Sequence, residues 1–272
     1  MTRLPSMLAA LAMAASAWIG TAQADSAPVR ATYDVYFGGL YVLRAHSEFR
    51  PNPDGYTVSS KAESRGILEV FFDWEGETLS EGRFEGQRAI PTRHRNIGRR
   101  GDRIRSVELV YDADGAVVTS TISPPPDPDE VTELPDGAEI GTMDPLSVIA
   151  QLARSVALGG TCAGEFAVYD GRRRYDLRVT DKGPDTLPES RFSIFSGDVM
   201  ACGVEYALLG GQRKEQSKYA KTARERVVFV GRPIAGGPAL PVGMKIETAY
   251  GTLMAHLADI TVPNRFAQNA PE

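Results

Sequence analysis

The segment EFAVYDGRRRYDLRV, residues 165–179, decides the fold, because apolar and polar side chains alternate on both sides of an Asp-Gly pair. Such alternation is typical of half-buried antiparallel strands, and Asp-Gly favours a two-residue hairpin turn. A turn at Asp170-Gly171 predicts that Phe166 faces Tyr175 across the hairpin. The apolar face then holds Phe166, Val168, Tyr175, Leu177 and Val179. The opposite face, expected in solvent, holds Glu165, Arg172, Arg174, Asp176 and Arg178.

The remaining arginine of this segment, Arg173, does not follow the pattern. Strict alternation places it beside Val168 on the apolar face. Either its aliphatic stem packs there while the guanidinium reaches water, or Arg173 lies at the rim of an interior cavity and holds an acidic group. Arg173 is therefore a candidate ligand-binding residue.

A second group of basic residues lies around two earlier predicted strands. Arg103 and Arg105 share the parity of the apolar Val107 unless a bulge intervenes, and His94 and Arg95 precede them in the chain. One interpretation is the charged end of a hairpin. The functional interpretation is a patch for an anionic ligand or a lipid head group. These four basic residues are candidates for it.

One helix stands among the strands, in the segment MDPLSVIAQLARSVA, residues 143–157. Asp144 is placed to cap the first turn, and Pro145 occupies the first helical position. An apolar stripe follows at helical spacing and comprises Leu146, Ile149, Leu152, Ala153 and Val156. A curved sheet offers the surface that such a stripe needs. The sequence therefore predicts a mainly β fold, with a single curved antiparallel sheet, a half-open barrel or β-spiral, wrapped around this amphipathic helix.

The first 24 residues have the pattern of a cleaved signal peptide: a basic residue, a short apolar stretch and small residues at Ala22 and Ala24. No later segment is long and apolar enough to span a bilayer. We expect a flexible start over 25–30, a single β-rich domain over 31–262 and a flexible tail over 263–272. The segments 124–137 and 213–226 are predicted as solvated loops. The predicted location is the periplasm.

The chain contains two cysteines, Cys162 and Cys202. An even, small number of cysteines in an exported chain favours a structural disulfide. A redox pair or a metal site is the weaker alternative, because the spacing is not C-x-x-C and no histidine is nearby in the sequence.

Composition and motifs exclude several classes of function. The chain has 35 acidic against 30 basic residues, which argues against a general nucleic-acid binder. Motifs of serine hydrolases, P-loop nucleotide binders and zinc proteases are absent. The three histidines, His46, His94 and His256, are far apart and are expected at surface or edge positions. We therefore expect no catalytic residues, no metal and no cofactor. A hydrolase acting on envelope polymers is the alternative.

Several segments in order resemble one bacterial family of exported proteins, grouped as domain of unknown function 3108. They are YDVYFGGLYV, FDWEGETLSEGRF, VELVYDADG, GTMDPLSVIAQL, YDGRRRYDL and LPVGMKIETAYGTLMAHLADI, and they span about Ala31 to Ile260. The resemblance implies an envelope protein with a curved, mostly antiparallel sheet, and it supplies no catalytic residues. The chain is more loosely similar to periplasmic β-spiral and lipoprotein-carrier-like folds, in architecture alone.

The combined expectation is a non-enzymatic periplasmic protein of the cell envelope that binds an amphiphilic or extended ligand in its curved sheet. A lipid, an acyl chain or an envelope protein is the expected partner. The alternative is an interaction or scaffold protein that docks a partner through edge strands or an arginine-rich face.

Overall fold

The computed structural model describes residues 28–52, 54–214 and 225–262. The predicted signal peptide and the predicted tail lie outside the described residues. Within them the chain forms β1 (Val29–Phe37), β2 (Leu40–Asn52), β3 (Gly55–Ser64), α1 (Ile67–Phe71), β4 (Trp74–Glu85), β5 (Arg88–Arg100), β6 (Arg103–Tyr111), β7 (Val117–Ser123), α2 (Pro145–Ala157), β8 (Gly164–Tyr169), β9 (Arg174–Leu187), β10 (Gly197–Gly210), β11 (Glu225–Gly231), β12 (Leu240–Thr248) and β13 (Gly251–Thr261).

The described strands form one antiparallel sheet in the order β7-β6-β5-β4-β3-β2-β1-β13-β12-β11-β10-β9-β8. Each half of the chain is therefore a simple meander. The first and last strands, β1 and β13, pair at the centre of the sheet and join the two halves. The predicted single antiparallel sheet is confirmed, and it is not closed, since β7 and β8 are its edges.

The sheet bends until its two ends approach each other around α2. Tyr169, at the end of edge strand β8, packs against Val107 and Leu109 of β6, which is the second strand from the opposite edge. The helix contacts β3, β4 and β5 on one side and β8 on the other. The predicted half-open arrangement around one helix is therefore confirmed.

The start of α2 is as predicted, but its packing is different. Asp144 caps the helix, and its carboxylate accepts hydrogen bonds from the backbone N–H groups of Leu146 and Ser147. The most buried helical residues are Ser147, Val148 and Ala150, and the apolar stripe is only half-buried. Because the sheet surrounds the helix, it buries a polar position that a one-sided stripe would leave in solvent.

The first strand begins at Val29 rather than at the predicted Ala31. Val29 pairs with Phe49 and is buried in the main apolar cluster. Val29 and Arg30 therefore belong to the sheet, although the flexible start was expected to extend to residue 30.

The predicted disulfide is present. Cys162 and Cys202 are bonded with their Cα atoms 5.9 Å apart, and both are fully buried. Cys162 lies two residues before β8, and Cys202 lies in β10. The bond therefore connects the segment before β8 to β10, and β9 lies between these two strands in the sheet. A disulfide is typical of an oxidising compartment such as the periplasm or the cell exterior. Over the described ranges, no helix has the length and apolar character needed to cross a membrane.

Candidate functional site

The β8–β9 hairpin has a four-residue loop instead of the predicted two-residue turn. Val168 pairs with Tyr175, so residues 170–173 form the loop. The Oδ1 atom of Asp170 accepts hydrogen bonds from the backbone N–H groups of Arg172 and Arg173, at 2.9 and 2.7 Å. This side-chain capping of the loop replaces the tight turn.

The predicted pairing of Phe166 with Tyr175 is therefore wrong by two residues. A shift of two residues keeps each side chain on its own face of the sheet. Phe166, Val168, Tyr175 and Val179 are accordingly buried, as predicted from their parity, and Leu177 is half-buried.

The loop moves Arg172 out of solvent. Its Nη2 atom donates hydrogen bonds to the backbone carbonyls of Ser106, Ser123 and Pro124, at 3.3, 2.9 and 3.0 Å. The predicted solvent position of Arg172 is thus wrong, because the bend of the sheet brings the ends of β6 and β7 to this loop. Arg173 instead forms an ion pair with Asp170 at 2.7 Å, and its side chain is 54% exposed.

Gly171 allows this close approach. Its φ angle is +85°, and a Cβ atom there would overlap Cγ1 of Val107. We expect Gly171→Ala to lower the free energy of unfolding by about 2 to 4 kcal/mol, the sum of a left-handed backbone cost and an overpacking cost. Urea denaturation measures this loss.

Gly183→Ala is the matched control for that variant. Gly183 has φ +89° but has no atom within 4 Å of the added Cβ, so we expect only the backbone cost of about 1 kcal/mol. Equal losses in the two variants would contradict the close contact between the hairpin loop and β6.

A cavity of about 600 Å³ lies between this loop, the first turn of α2 and the inner face of β4 to β6. We call it the arginine cavity. Its basic lining residues are His94, Arg105, Arg172, Arg173 and Arg213. Its acidic lining residues are Asp127, Glu130 and Asp170. Apolar surface comes from Val107, Val131, Leu146, Leu208 and the prolines at 124–126. The cavity thus combines apolar walls with a small excess of positive charge.

Most of the positive charge in the arginine cavity has no acidic partner. Neither Arg105 nor Arg213 forms an ion pair within the part of the chain that the structure describes, and Arg172 bonds to carbonyl oxygens. Burial, and then repulsion by Arg105, lowers the pKa of Arg172. An anion that enters the cavity would relieve this repulsion.

Beneath the cavity lies a buried group that we call the Asp144 network, formed by Tyr56, Ser80, His94, Asp144 and Ser147. The hydroxyls of Ser80 and Ser147 each donate to the Asp144 carboxylate at 2.5 Å. The Nδ1 atom of His94 lies 2.9 Å from Ser80 Oγ and 3.4 Å from Asp144 Oδ1. Asp144, Ser80 and Ser147 are fully buried, and His94 is nearly so.

Hydrogen bonds keep Asp144 ionised in this environment. Burial alone would raise its pKa, but the hydrogen bond and the electrostatic attraction from His94, with the hydrogen bonds from Ser147 and Ser80, hold that pKa below the ordinary value. The two backbone N–H groups at the start of α2 act in the same direction. A single carboxylate therefore anchors both the helix and the floor of the cavity.

Gly82 on β4 leaves space for the side chain of Tyr56, which is a member of the Asp144 network. A Cβ at this position would overlap the phenol of Tyr56. The Tyr56 ring therefore lies across the strand, and its hydroxyl donates to Ser147 Oγ at 2.7 Å. Burial raises the pKa of Tyr56, so the phenol remains a donor.

The structure brings together only three of the five predicted ligand-binding residues. Three of them, His94, Arg105 and Arg173, line the arginine cavity. Arg103 does not line it. Arg95 follows His94 in β5 and therefore points to the opposite face of the sheet, where it lines a second pocket together with His46 and Lys61.

Several residues of the site were not predicted from the sequence, and others were misplaced. His94 was expected at a surface or edge position, and its burial contradicts that. Arg213 was assigned to a solvated loop, but it lines the cavity. The signal for Ser80 was available: Gly76, Thr78, Ser80 and Gly82 share one face of β4, and such a run of small residues leaves space for a helix.

These observations define a class: open, curved antiparallel β-sheet proteins that surround a helix and have a cavity, lined by charged and apolar residues, at the N-terminus of that helix. A family model described as "Protein of unknown function (DUF3108)" matches residues 32–258. The chain belongs to this family, as its sequence motifs indicated. The comparisons with curated proteins and with solved structures found no match.

Proposed function

We propose that this is a non-enzymatic protein of the cell envelope, located in the periplasm, that binds an amphiphile with an anionic head group in the arginine cavity. The carrying observation is that Arg105, Arg172 and Arg213 line an apolar-walled cavity without ion-pair partners among the described residues. A volume of about 600 Å³ is within the range of small-molecule sites. The buried disulfide supports an oxidising location.

The cavity suits an amphiphile because it offers two kinds of surface, charged and apolar. Arg105, Arg172 and Arg213 can bind a carboxylate or phosphate through charge-assisted hydrogen bonds. Leu146, Leu208 and the prolines 124–126 can cover a hydrocarbon chain, since burial of apolar surface is favourable.

Titration calorimetry with decyl phosphate and with decanoate tests this proposal. We expect the wild-type protein to bind at least one of the two, and we expect Arg105→Gln to weaken that binding about tenfold or more through the loss of a charged hydrogen-bond donor. The mature protein should first be delipidated, and native mass spectrometry should show which amphiphile copurifies with it before that step.

Arg103→Gln is the matched control, because Arg103 is on the same strand and is exposed but does not line the cavity. We expect this variant to bind like the wild type. Absence of binding by the wild type, or equal weakening in both variants, would count against a ligand site in the arginine cavity.

A second candidate function is docking of an envelope partner through an edge strand. Strand β7 is an edge of the sheet, and its residues 118–121 are exposed. Unpaired edge strands can accept an additional strand from another chain. Crosslinking in cells from a photoreactive residue at Val118 tests this candidate. A captured partner that is lost with Thr119→Pro, in a variant that retains its ligand, would support it.

A further inference from the structure

The hydrogen bonds of the Asp144 network fix the position of each proton. An ionised carboxylate only accepts, so Ser80 must use its single proton in the bond to Asp144. The Ser80 oxygen can then only accept at its contact with His94 Nδ1, 2.9 Å away. In the neutral form of His94, the proton is therefore on Nδ1.

In that neutral form, the other ring nitrogen of His94 carries a lone pair. Its Nε2 atom forms no hydrogen bond with any residue in the described ranges, whereas Nδ1 is held by Ser80 and Asp144. His94 lines the arginine cavity. In the neutral ring, Nε2 is therefore the atom that can accept a hydrogen bond from a bound molecule, and arginine donors line the same cavity.

We propose that the arginine cavity selects a phosphate monoester as its head group and that His94 Nε2 shares one proton with a phosphate oxygen. This inference rests on the proposed function and specifies its ligand. The arginines donate to the unprotonated oxygens, and the remaining P–OH group donates to Nε2. No covalent bond forms or breaks.

The chemistry of the head group explains the selection. A phosphate monoester has its second pKa near 6, so it carries or readily takes up one proton at neutral pH. A sulfate monoester has the same tetrahedral oxygens but no such proton. A sulfate oxygen would therefore place a lone pair against the lone pair of Nε2, and one contact would be repulsive.

The other charged groups that line the cavity determine its net charge. Four arginines, Arg105, Arg172, Arg173 and Arg213, face three carboxylates, Asp127, Glu130 and Asp170, and Asp144 lies behind the His94 ring. The side facing the ligand therefore carries an excess of cationic groups, which favours binding of an anion.

A comparison of decyl phosphate with decyl sulfate tests the selection, since the two differ in the head group alone. We expect the wild-type protein to bind decyl phosphate at least about tenfold more tightly. In His94→Gln the ratio should fall toward unity. His46→Gln, which changes an exposed histidine outside the cavity, should retain the wild-type ratio.

Proton linkage supplies a second readout that needs no variant. Calorimetry of wild-type protein with decyl phosphate at pH 8, in two buffers of different ionisation enthalpy, should show uptake of about one proton per ligand, because the free monoester is then a dianion. Nitrogen-15 NMR of the histidine side chains, without ligand, should show the Nδ1–H form for His94.

The outcomes separate the two proposals. If neither decyl phosphate nor decanoate binds, the proposed function fails and this inference fails with it. If decyl phosphate binds without proton uptake, or if decyl sulfate binds equally well, the head-group assignment is overturned and the proposed function stands. An Nε2–H form of His94 in the free protein would also overturn the assignment.

Discussion

Asp144→Ala is expected to lower the free energy of unfolding by about 3 to 7 kcal/mol. The change removes a helix cap, which is worth about 1 kcal/mol. It also leaves the buried hydroxyls of Ser80 and Ser147 without their acceptor, and each unsatisfied group costs about 1 to 3 kcal/mol. Urea denaturation followed by far-UV circular dichroism measures the loss.

Asp129→Ala is the control for that prediction, because Asp129 is exposed in the loop before α2. Its effect should stay within about 0.5 kcal/mol. If Asp144→Ala fails to fold, Asp144→Asn provides the measurement, since an amide still caps the helix but lacks the charge. A loss below about 1 kcal/mol in either Asp144 variant would show that the network does not hold the helix in place.

The pH dependence of the Asp144→Asn effect has a definite sign. Because the folded-state pKa of Asp144 lies below the ordinary value of 3.8, the ionised form stabilises the fold fully above the unfolded pKa. This contribution is lost as the pH falls through the folded pKa. The difference in unfolding free energy between wild type and variant should therefore be largest above about pH 5 and should shrink below pH 3.8.

Removal of the disulfide, as Cys162→Ala with Cys202→Ala, is expected to cost about 4 kcal/mol. The bond spans a sequence separation of 40 residues, and chain-entropy estimates for a loop of that length give this value. For a domain of this size, the loss corresponds to a decrease in Tm of roughly 8 to 16 °C. Differential scanning calorimetry measures it.

Reductant supplies the control for the disulfide prediction. Wild-type protein in a phosphine reductant should approach the Tm of the double variant, and the variant itself should not respond. A double variant that melts within about 2 °C of oxidised wild type would mean that the bond adds little to stability. The disulfide would then indicate an oxidising compartment without contributing much to the stability of the fold.

The architecture was predictable because it depends on local regularities. Alternation of apolar and polar residues identified the strands, and Asp144 with Pro145 located the start of α2. Parity remained correct for Phe166 and Tyr175 even where the register was wrong, because the error was an even number of residues. The disulfide could be predicted for a different reason, since two cysteines allow one intramolecular pairing.

The site was less predictable because it depends on long-range geometry. Ser80, His94 and Asp144 lie on three separate elements, and each is an ordinary residue in its own segment. Arg172 and Arg174 were both expected in solvent, but the bend of the sheet presses the loop of Arg172 against β6, and the Arg174 side chain is only 14% exposed. Curvature decides these contacts, and a strand pattern carries no information about curvature.

The pairing of β1 with β13 has a consequence for how the molecule assembles. Contacts such as Tyr33 with Leu257 join residues that are far apart in the sequence, so the central seam cannot form before β13 is available for pairing. Each meander can form early, because its strands pair with their neighbours in the sequence. The pairing of β1 with β13 is slower, because it joins residues that are far apart in the sequence. Before that pairing, β1 is an open edge of the first half, at the position that β13 will later occupy.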